Sequence, residues 1–265
     1  MSILKCPVCQ QIIRKEENRY VCTNRHSFDI AKQGYSNLLL KQSSKVHGDN
    51  KDMLLARKEI QAKGIYAHIA MKIIDILSTI NHQKILDIGC GTGYYTSLMQ
   101  EAFTNEMYGV DISKEALKIA ANGNKDITYL VASNKDLPLV DSSMDVVTNV
   151  FSPLYVDEVK RVLKDNGYVL VVSSNENHLI ELKEIIYDTI IKKEETRNHI
   201  TNDHLLEILD VNVIEHILLD KTDLHNLFMM TPHYWTSSVS GKERLNHVRS
   251  LQVQLDINFK LYKKV

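Results

Sequence analysis

Apolar residues fall along this chain in two spacings, one typical of buried strands and one typical of helices. Short runs rich in Ile, Leu and Val alternate with segments in which apolar residues recur every three or four positions. Alternation of this kind indicates a parallel sheet with helices packed against it. The strand runs lie at 85–88, 107–112, 127–134 and 167–173, with a loop and a further strand over 137–147.

Two amphipathic helical segments flank this alternating region, at 53–80 and at 178–192. Beyond them, residues 211–219 and 251–262 predict two closing strands, with a helix at 223–230 between them. The pattern as a whole predicts an α/β fold with a Rossmann-like sheet of seven mostly parallel strands, of which the last is antiparallel.

Composition divides the chain into three parts. Residues 1–38 contain three closely spaced cysteines, and residues 39–52 are polar, as in a flexible connector. We therefore expect a small amino-terminal unit at 1–38, a linker and helical segment at 39–82, and a large domain at 83–265. The 265 residues suffice for one large domain and one small one.

The near-neutral net charge conceals an asymmetry between the two ends of the chain. The formal net charge is -1, but residues 1–63 contain twelve Lys or Arg against six Asp or Glu. A basic module on an acidic body is expected where the module contacts nucleic-acid phosphates, although a solvated basic face would look the same. No apolar run approaches the ~20 residues of a membrane span, and no signal-peptide pattern is present. We expect a cytoplasmic protein without a membrane partner.

The segment 85–96 carries the most specific chemical signal. An apolar strand ends in an acid, Asp87, and glycines follow at every second position, at Gly89, Gly91 and Gly93. A dinucleotide-binding turn needs its third glycine one position further along, where this chain has a tyrosine. The spacing instead resembles the S-adenosylmethionine loop of Rossmann-like methyltransferases. The alternative is a glycine-rich turn that binds nothing.

Residues at the ends of the next two strands extend this predicted site. Asp111 lies about 20 residues beyond the loop, where nucleotide-binding folds place a carboxylate against the ribose hydroxyls, and Ile112 follows it. Ser133 and Asn134 end the third strand, and we expect them to recognise the adenine edge. Because the carboxyl ends of parallel strands meet at one edge of the sheet, these four residues are predicted to bind the cofactor. On its own, Asp111 could equally be a solvated turn residue.

Three of the four cysteines form a metal-binding pattern with one histidine. Cys6-x2-Cys9-x12-Cys22-x3-His26 matches a tetrahedral structural zinc site in ligand type and spacing. Thiolates favour zinc over magnesium or calcium, and a unit of under 40 residues needs such a metal to fold. A redox-active pair of Cys6 and Cys9 is the alternative, but no βαβ pattern surrounds it. Cys90 is expected only to be a small residue in the glycine loop.

Taken together, these motifs resemble those of the bacterial 23S ribosomal RNA guanine-N1-methyltransferases over nearly the whole chain. The zinc pattern and the run that follows it are specific to that family, whereas many methyltransferases share the glycine loop. The resemblance rests on Cys6-Pro7-x-Cys9, Cys22-x3-His26-x-Phe28-Asp29-x-Ala31-Lys32-x-Gly34-Tyr35-x-Asn37-Leu38, Leu86 to Tyr95, Asn177-His178-Leu179 and Met230-Thr231-Pro232.

The resemblance implies S-adenosyl-L-methionine as methyl donor, a structural Zn²⁺, and 23S rRNA as partner. The implied target is N1 of one guanine in a hairpin that lines the peptide exit tunnel, in the family branch connected with macrolide resistance. The family also implies that the zinc module helps to hold RNA and that members can form homodimers. By position, the family's cofactor contacts fall on Tyr66, Gly91, Thr92 and His178. Thr92 departs from the acidic residue usual there, which we expect to alter cofactor affinity without abolishing the site.

The sequence identifies no catalytic base. Guanine N1 carries a proton at neutral pH, so a base or water must remove it, and a paired guanine must be flipped out to be reached. Asp145, Asn149 and the turn at 151–153 are candidates because we expect them at the end of the fourth strand. Two other functions stay open: a small-molecule methyltransferase acting on a quinone precursor, and a non-catalytic zinc-dependent RNA-binding protein.

Overall fold

One eight-stranded mixed sheet forms the centre of the molecule, and a three-stranded antiparallel sheet lies in the amino-terminal module. The computed structural model describes residues 2–40, 50–190, 200 and 204–265. The small sheet consists of β1 (Ile13–Glu16), β2 (Arg19–Cys22) and β3 (Ser27–Asp29). The large sheet consists of β4 (Tyr35–Asn37), β5 (Lys84–Ile88), β6 (Glu106–Asp111), β7 (Thr128–Val131), β8 (Met144–Val150), β9 (Leu163–Ser174), β10 (Leu205–Asp220) and β11 (Ser250–Lys264).

Helices follow most strands of the large sheet, as the alternating pattern predicts. Within the described part of the chain, none of them is both long enough and apolar enough to cross a membrane. They are α1 (Lys51–Ala62), α2 (Ala67–Leu77), α3 (Tyr94–Ala102), α4 (Lys114–Gly123), α5 (Val156–Val162), α6 (Ile180–Ile186), α7 (Lys221–Met229), α8 (His233–Thr236) and α9 (Val239–Asn246).

The large sheet has the strand order β10-β11-β9-β8-β5-β6-β7-β4. Strands β4 to β9 pair in parallel, and β11 is antiparallel to both of its neighbours. The predicted Rossmann-like fold with a mostly parallel sheet and an antiparallel closing strand is thus confirmed. The chain leaves central β5 first towards β6 and β7 and later towards β8 and β9. Such a switch point opens a crevice at the carboxyl ends of the strands, where ligands bind.

An eighth strand, β4, extends the predicted seven. It pairs in parallel with β7, from Tyr35 opposite Tyr129 to Asn37 opposite Val131. Its three residues are too few to give a periodic signal in the sequence. By sequence β4 belongs to the predicted unit 1–38, so the amino-terminal module and the large domain share one sheet.

Among the described residues, buried side chains form two clusters on opposite faces of the large sheet. One contains apolar residues of α1 to α4, α6 and α7. The other combines Leu86 and Ile88 of β5 with α5 and with Leu4 and Ile13 of the amino-terminal module, each at most 3% exposed. The module therefore covers part of one sheet face, in the position that a helix would otherwise occupy.

Two predicted helices differ from the structure in their bounds. The segment 53–80 forms two helices because Gly64 adopts a left-handed backbone (φ 72°) between them. The helix predicted over 178–192 begins only after Leu179, whose backbone is also left-handed (φ 56°) and whose N–H donates to the Gln254 carbonyl of β11. Residues 191–192, and 41–49 of the predicted connector, lie outside the described residues.

Candidate metal centre and active site

Four side chains of the amino-terminal module converge on one point. The ligand atoms of Cys6, Cys9, Cys22 and His26 all lie within 4.8 Å of one another. The sulfurs of Cys9 and Cys22 are 3.7 Å apart, and His26 Nδ1 lies 3.6 Å from the Cys6 sulfur and 3.4 Å from the Cys22 sulfur. Tetrahedral zinc, with bonds of about 2.3 Å to sulfur and 2.0 Å to nitrogen, separates its ligands by roughly 3.5–3.8 Å. The residues present therefore fit Zn²⁺.

Two similar turns present these ligands. Gln10 and Arg25 both have left-handed backbone, with φ of 61° and 63°. The Gln10 N–H donates to the Cys6 carbonyl over 2.8 Å, and the Arg25 N–H donates to the Cys22 carbonyl over 2.9 Å. The backbone N–H of Gln11 lowers the pKa of the Cys9 thiol to about 6, which favours the thiolate that zinc binds.

Backbone pairing fixes the metal module to the large sheet. The Lys5 N–H donates to the Pro138 carbonyl over 2.9 Å, and the Val140 N–H donates to the Ile3 carbonyl over 2.8 Å. Leu4, between these two bonds, is 3% exposed and belongs to the cluster beneath the sheet. The zinc cluster is thus built into the same folded unit as the carboxyl edge of the sheet.

The glycine loop after β5 depends on backbone conformations that favour glycine. Gly89, Gly91 and Gly93 have φ of 71°, 54° and 76°. Residues with a side chain rarely adopt this left-handed backbone region. A Cβ on Gly89 would collide with Ser152. On Gly93 it would lie 2.6 Å from the Tyr129 hydroxyl. All three glycines are therefore required by backbone geometry.

The carboxylate of Asp111 lies against this loop. Its Oδ2 accepts the Gly91 N–H over 2.8 Å, and its Oδ1 accepts the Ser113 N–H over 2.7 Å. A carboxylate has acceptor sites for about four hydrogen bonds, so a partly buried acid here suits a diol such as ribose. Ile112 follows it and is likewise partly buried.

Asp87 occupies a different position from the other predicted contacts. It is 2% exposed, and its two oxygens accept the Thr96 hydroxyl over 2.6 Å and the Thr148 hydroxyl over 2.9 Å. These bonds connect β5 to α3 and β8. Burial raises the pKa of Asp87 to about 6 despite the two hydroxyls. Its role in this structure is to hold the strand end and the loop, and direct contact with the cofactor stays a prediction.

Ser133 and Asn134 lie at the carboxyl end of β7, at the same edge of the sheet as the loop. Ser133 Oγ accepts the Lys135 N–H over 3.2 Å, and Asn134 Nδ2 donates to the Pro153 carbonyl over 3.3 Å. Both side chains are partly buried. The structure therefore brings these residues to the crevice, and their contact with adenine stays a prediction.

Tyr66, Thr92 and His178 are the remaining predicted cofactor contacts. Tyr66 precedes α2 and is 4% exposed, and burial raises its pKa. The Thr92 hydroxyl donates to Gln61 Oε1 over 3.1 Å, which connects the loop to α1. His178 Nδ1 accepts the Asp256 N–H over 3.3 Å, and burial lowers the pKa of His178 to about 3.

The end of β8 forms a strained turn beside these residues. Phe151 has left-handed backbone (φ 52°), and the Ser152 hydroxyl donates to the Ile88 carbonyl over 2.9 Å. Asn149 is 1% exposed and donates from Nδ2 to Ser152 Oγ over 2.6 Å. Its Oδ1 is buried, and no hydrogen-bond partner for it exists among the described residues.

Asp145 does not belong to this site, and its prediction as a candidate base was wrong. It lies at the amino end of β8, where its Oδ2 accepts the backbone N–H groups of Gln83 and Lys84. Its Oδ1 is 2.6 Å from Lys164 Nζ. Because β8 is parallel to its neighbours, the amino end is the edge opposite the crevice.

Arg57 of α1 is a residue of the site that the sequence did not reveal. A Cβ on Gly91 would lie 3.7 Å from Arg57 Nη1, so the guanidinium faces the glycine loop. Its Nη2 donates to the Met230 carbonyl over 3.4 Å. The only signal in the sequence is a basic residue in a helical segment ahead of Tyr66, which does not show that α1 lies against the loop.

A left-handed glycine loop, an acid at the end of the next strand and a switch-point crevice define an S-adenosylmethionine-dependent methyltransferase of Rossmann-like fold, here joined to a zinc-binding module. Two family models match the chain. One, described as a methyltransferase domain, matches residues 86–171, and the other, described as the amino-terminal zinc ribbon of RlmA, matches residues 4–45. The chain belongs to the 23S rRNA (guanine-N1)-methyltransferase family.

Three relatives support this assignment. A 23S rRNA (guanine(748)-N(1))-methyltransferase of Streptomyces fradiae is 34% identical over 68% of this chain and 66% of the relative. A putative 23S rRNA (guanine-N(1)-)-methyltransferase of Micromonospora griseorubida is 32% identical over 68% of each chain. The putative enzyme YxjB of Bacillus subtilis, of the same description, is 26% identical over 97% of this chain and 95% of its own.

Among solved structures, the YcgJ protein of Bacillus subtilis superposes with a TM-score of 0.53 at 17% identity. The match covers 75% of this chain and 98% of that one. At this identity the likeness shows the fold of the large domain alone.

Proposed function

We propose that this chain transfers the methyl group of S-adenosylmethionine to N1 of one guanine in 23S rRNA. The observation that carries the proposal is the union of two sites in one folded unit. A zinc cluster on a basic module is joined to a methyltransferase crevice through backbone pairing, a common buried cluster and the strand β4. The Bacillus subtilis relative named for this activity aligns across both parts. A quinone-type acceptor would not need the metal module.

S-adenosylmethionine supplies an electrophilic methyl group when it is bound, and the crevice residues bind and orient it. Asp111 accepts the ribose hydroxyls, and Ser133 and Asn134 recognise the adenine edge. Asp87 acts by holding the loop. The other proposed contacts are Tyr66, Gly89, Gly91, Thr92, Ile112 and His178.

We assign Arg57 as the residue that binds the carboxylate of the cofactor. Its guanidinium faces Gly91 at the centre of the loop, and guanidinium groups form bidentate, charge-assisted hydrogen bonds with carboxylates. Arg57→Lys keeps the charge but loses the paired geometry, so we expect cofactor affinity to fall in this variant as well as in Arg57→Ala. Calorimetry with both variants tests the assignment, and equal affinity in all three proteins would contradict it.

His178 is not the group that removes the proton from N1. Its Nδ1 accepts a backbone N–H, so the neutral ring carries its hydrogen on Nε2. With a pKa of about 3, the ring stays neutral throughout the physiological range. His178 therefore acts as a hydrogen-bond donor that orients a ligand. Alignment of the methyl donor with the accepting nitrogen contributes more to the rate than proton removal does. In well-oriented reactions, effective molarity lowers the barrier by ~7–11 kcal/mol.

The amino-terminal module is proposed to hold the RNA, a hairpin of 23S rRNA near the peptide exit tunnel, in the cytoplasm. Arg25 and Lys32 are exposed on this module. Reversing both charges should weaken RNA binding and reduce the slope of log K against log salt by up to about 2, because each phosphate contact adds roughly 0.7–0.9. The same reversal at exposed Lys221 and Arg249, in the carboxyl-terminal part of the chain, serves as the control. An unchanged slope in the first variant would remove the module from the RNA interface.

A homodimer is part of the proposal, and the edge strand β10 supports it. Leu206, Ile208, Ile214 and Leu218 are 46–72% exposed along this strand. Long apolar edge strands promote pairing between copies of a chain. Light scattering of the protein and of an Ile214→Lys variant tests this point, and a monomeric wild-type protein would contradict it.

The decisive experiment for the function is nucleoside mass spectrometry of 23S rRNA from cells with and without the gene. Loss of 1-methylguanosine, restored by the wild-type gene but not by an Asp111→Ala gene, is the expected result. Primer extension then locates the guanine, since N1 methylation blocks base pairing, and compares guanine 748 with its neighbours. Unchanged rRNA with a methylated quinone precursor would support a small-molecule enzyme. RNA binding without methylation of either substrate would support a non-catalytic protein.

A further inference from the structure

Phe151 combines two features that are unfavourable for a residue of purely structural role. Its backbone is left-handed (φ 52°), which is a marked outlier for a bulky side chain. The residue is 44% exposed, so full burial of the ring does not offset the backbone strain. Strained residues of this kind persist where the surroundings fix them, and they cluster at functional sites.

The surroundings of Phe151 do fix it. Its N–H donates to the Val172 carbonyl over 3.0 Å. The next residue, Ser152, is held by the Ile88 carbonyl and by Asn149. A Cβ on Gly89 would collide with Ser152, so the glycine loop and this turn are in direct contact. These contacts tie the turn to the three strands β5, β8 and β9 and to the glycine loop.

The ring of Phe151 lies between two predicted cofactor contacts. It meets Tyr66 edge to face, with centroids 6.4 Å apart and planes at 84°. It is almost parallel to the ring of His178, at 23°, with centroids also 6.4 Å apart. That centroid separation is close to two stacking intervals of about 3.4 Å, the spacing of neighbouring bases in a nucleic-acid strand. A flat, exposed aromatic surface thus borders the residues predicted to hold the methyl donor.

We propose that Phe151 is the platform on which the flipped target guanine stacks, beside His178. The assignment rests on the proposed function, and it names the subsite where a purine ring is held for reaction. Enzymes that modify a base extrude it from the helix and hold it against aromatic side chains. Stacking fixes the plane of the base, and the approach of N1 to the methyl group requires a fixed plane. Stacking of one base is worth about 5-fold to 150-fold, here in the fraction of bound complexes whose target base is correctly positioned.

Phe151→Asn tests the platform against a packing role. Asparagine tolerates left-handed backbone, so the variant should keep or raise the thermal midpoint of the protein and keep its cofactor affinity. We expect kcat on a 23S hairpin fragment to fall by about 5-fold to 150-fold. The dissociation constant for RNA should change by less than about 3-fold, because phosphate contacts dominate affinity. Phe151→Trp, which retains a stacking surface, should recover most of the lost kcat.

A second readout follows the base itself. A hairpin with 2-aminopurine at the target position emits weakly when the base is stacked and strongly when it is extruded without a neighbour. The complex with Phe151→Asn should be brighter than the wild-type complex at saturating protein. Phe103→Leu is the matched control, because Phe103 also pairs with a histidine, His82, but lies at the opposite edge of the sheet. Its kcat and fluorescence should equal those of the wild type.

The outcomes separate the platform from the function. Wild-type kcat in Phe151→Asn would overturn the platform alone. Parallel losses of thermal midpoint, cofactor affinity and kcat would make Phe151 a packing residue and would also overturn it. Absence of 1-methylguanosine from reactions of the wild-type enzyme would overturn the proposed function and, with it, guanine as the occupant.

Discussion

The zinc cluster and the cofactor crevice are built in opposite ways. All four metal ligands fall within 21 consecutive residues, Cys6 to His26, and two local turns present them. The crevice draws on residues from Arg57 to Asp256, which meet only when the sheet is complete. A site made by local turns can be recognised from spacing, whereas a site made by a sheet can be recognised only in part.

The two sites also hold their charged groups differently. In the metal cluster, three thiolates and one imidazole would be held together by a cation that neutralises the thiolate charge. In the crevice, Asp87 is buried against two hydroxyls, and the partly buried Asp111 accepts two backbone N–H groups. The first site should therefore depend on an added ion for its fold, and the second on backbone geometry.

Removal of the metal should have the largest effect. Cys22→Ser should abolish zinc binding and unfold the amino-terminal module, because structural zinc contributes apparent free energies of about 10–16 kcal/mol in isolated fingers. Elemental analysis and RNA-binding assays check this, with Cys90→Ser retaining one equivalent of zinc. Cofactor affinity should fall as well, because Leu4 and Ile13 of the module share a buried cluster with Leu86 and Ile88 of β5. Less than half an equivalent of zinc in the wild-type protein would contradict the metal assignment.

Adding one methyl group to the glycine loop should have the second-largest effect. Gly93→Ala forces a side chain into left-handed backbone against Tyr129 and Ala120, and we expect a loss of about 2–5 kcal/mol in unfolding free energy. Gly123→Ala is the matched control, because a Cβ there meets nothing within 4 Å. It should stabilise the protein by ~0.5–1 kcal/mol. Urea titration measures both, and similar values for the two variants would refute the geometric argument.

The buried carboxyl group of Asp87 should make the free energy of unfolding depend on pH. The pKa of Asp87 is about 6 in the folded protein, above its unfolded value of about 3.9, so the folded state binds the extra proton. Its contribution to stability is fully present below about pH 4 and is lost as pH rises through 6, by at most about 3 kcal/mol. Asp87→Asn should remove this decline. Unfolding at pH 5 and pH 7.5 measures the difference, and an unchanged pH dependence would contradict the assignment.

Loss of the ribose acceptor should affect binding more than folding. Asp111→Ala should weaken S-adenosylmethionine binding by about 1.5–3 kcal/mol, the value of charge-assisted hydrogen bonds, which is roughly 10-fold to 150-fold. Asp126→Ala, at an exposed acid beside the opposite edge of the sheet, is the control. Calorimetry that finds equal affinity in both variants would exclude a ribose role for Asp111.

Strand and helix periodicity predicted most of the large domain, including the closing pair β10 and β11. It could not predict β4, whose three residues have no period, nor the late start of α6. Leu179 is drawn into the core and bonded to β11, which is a tertiary effect that overrides local helical preference.

The site was predictable to the extent that its chemistry is local. Cysteine spacing identified the metal ligands, and glycine spacing identified the loop. Asp87 and Asp111 both lie at the ends of strands, and the sequence could not show that their roles differ. Only the packing shows that Asp87 is enclosed by Thr96 and Thr148. The prediction for Asp145 was wrong because it located the residue in β8 without locating it along the strand. Asp145 lies near the amino end of β8, and only residues at the carboxyl end reach the crevice.

The strand β4 has a practical consequence for any shortened form of this protein. Cutting the chain after residue 38 would strip β7 of its neighbour and leave its backbone groups from Tyr129 to Val131 open at a flat edge. The same cut would expose Leu86 and Ile88, which now share a buried cluster with Leu4 and Ile13. A catalytic fragment without the metal module should therefore aggregate, and the smallest soluble unit that keeps the crevice should include the amino-terminal residues.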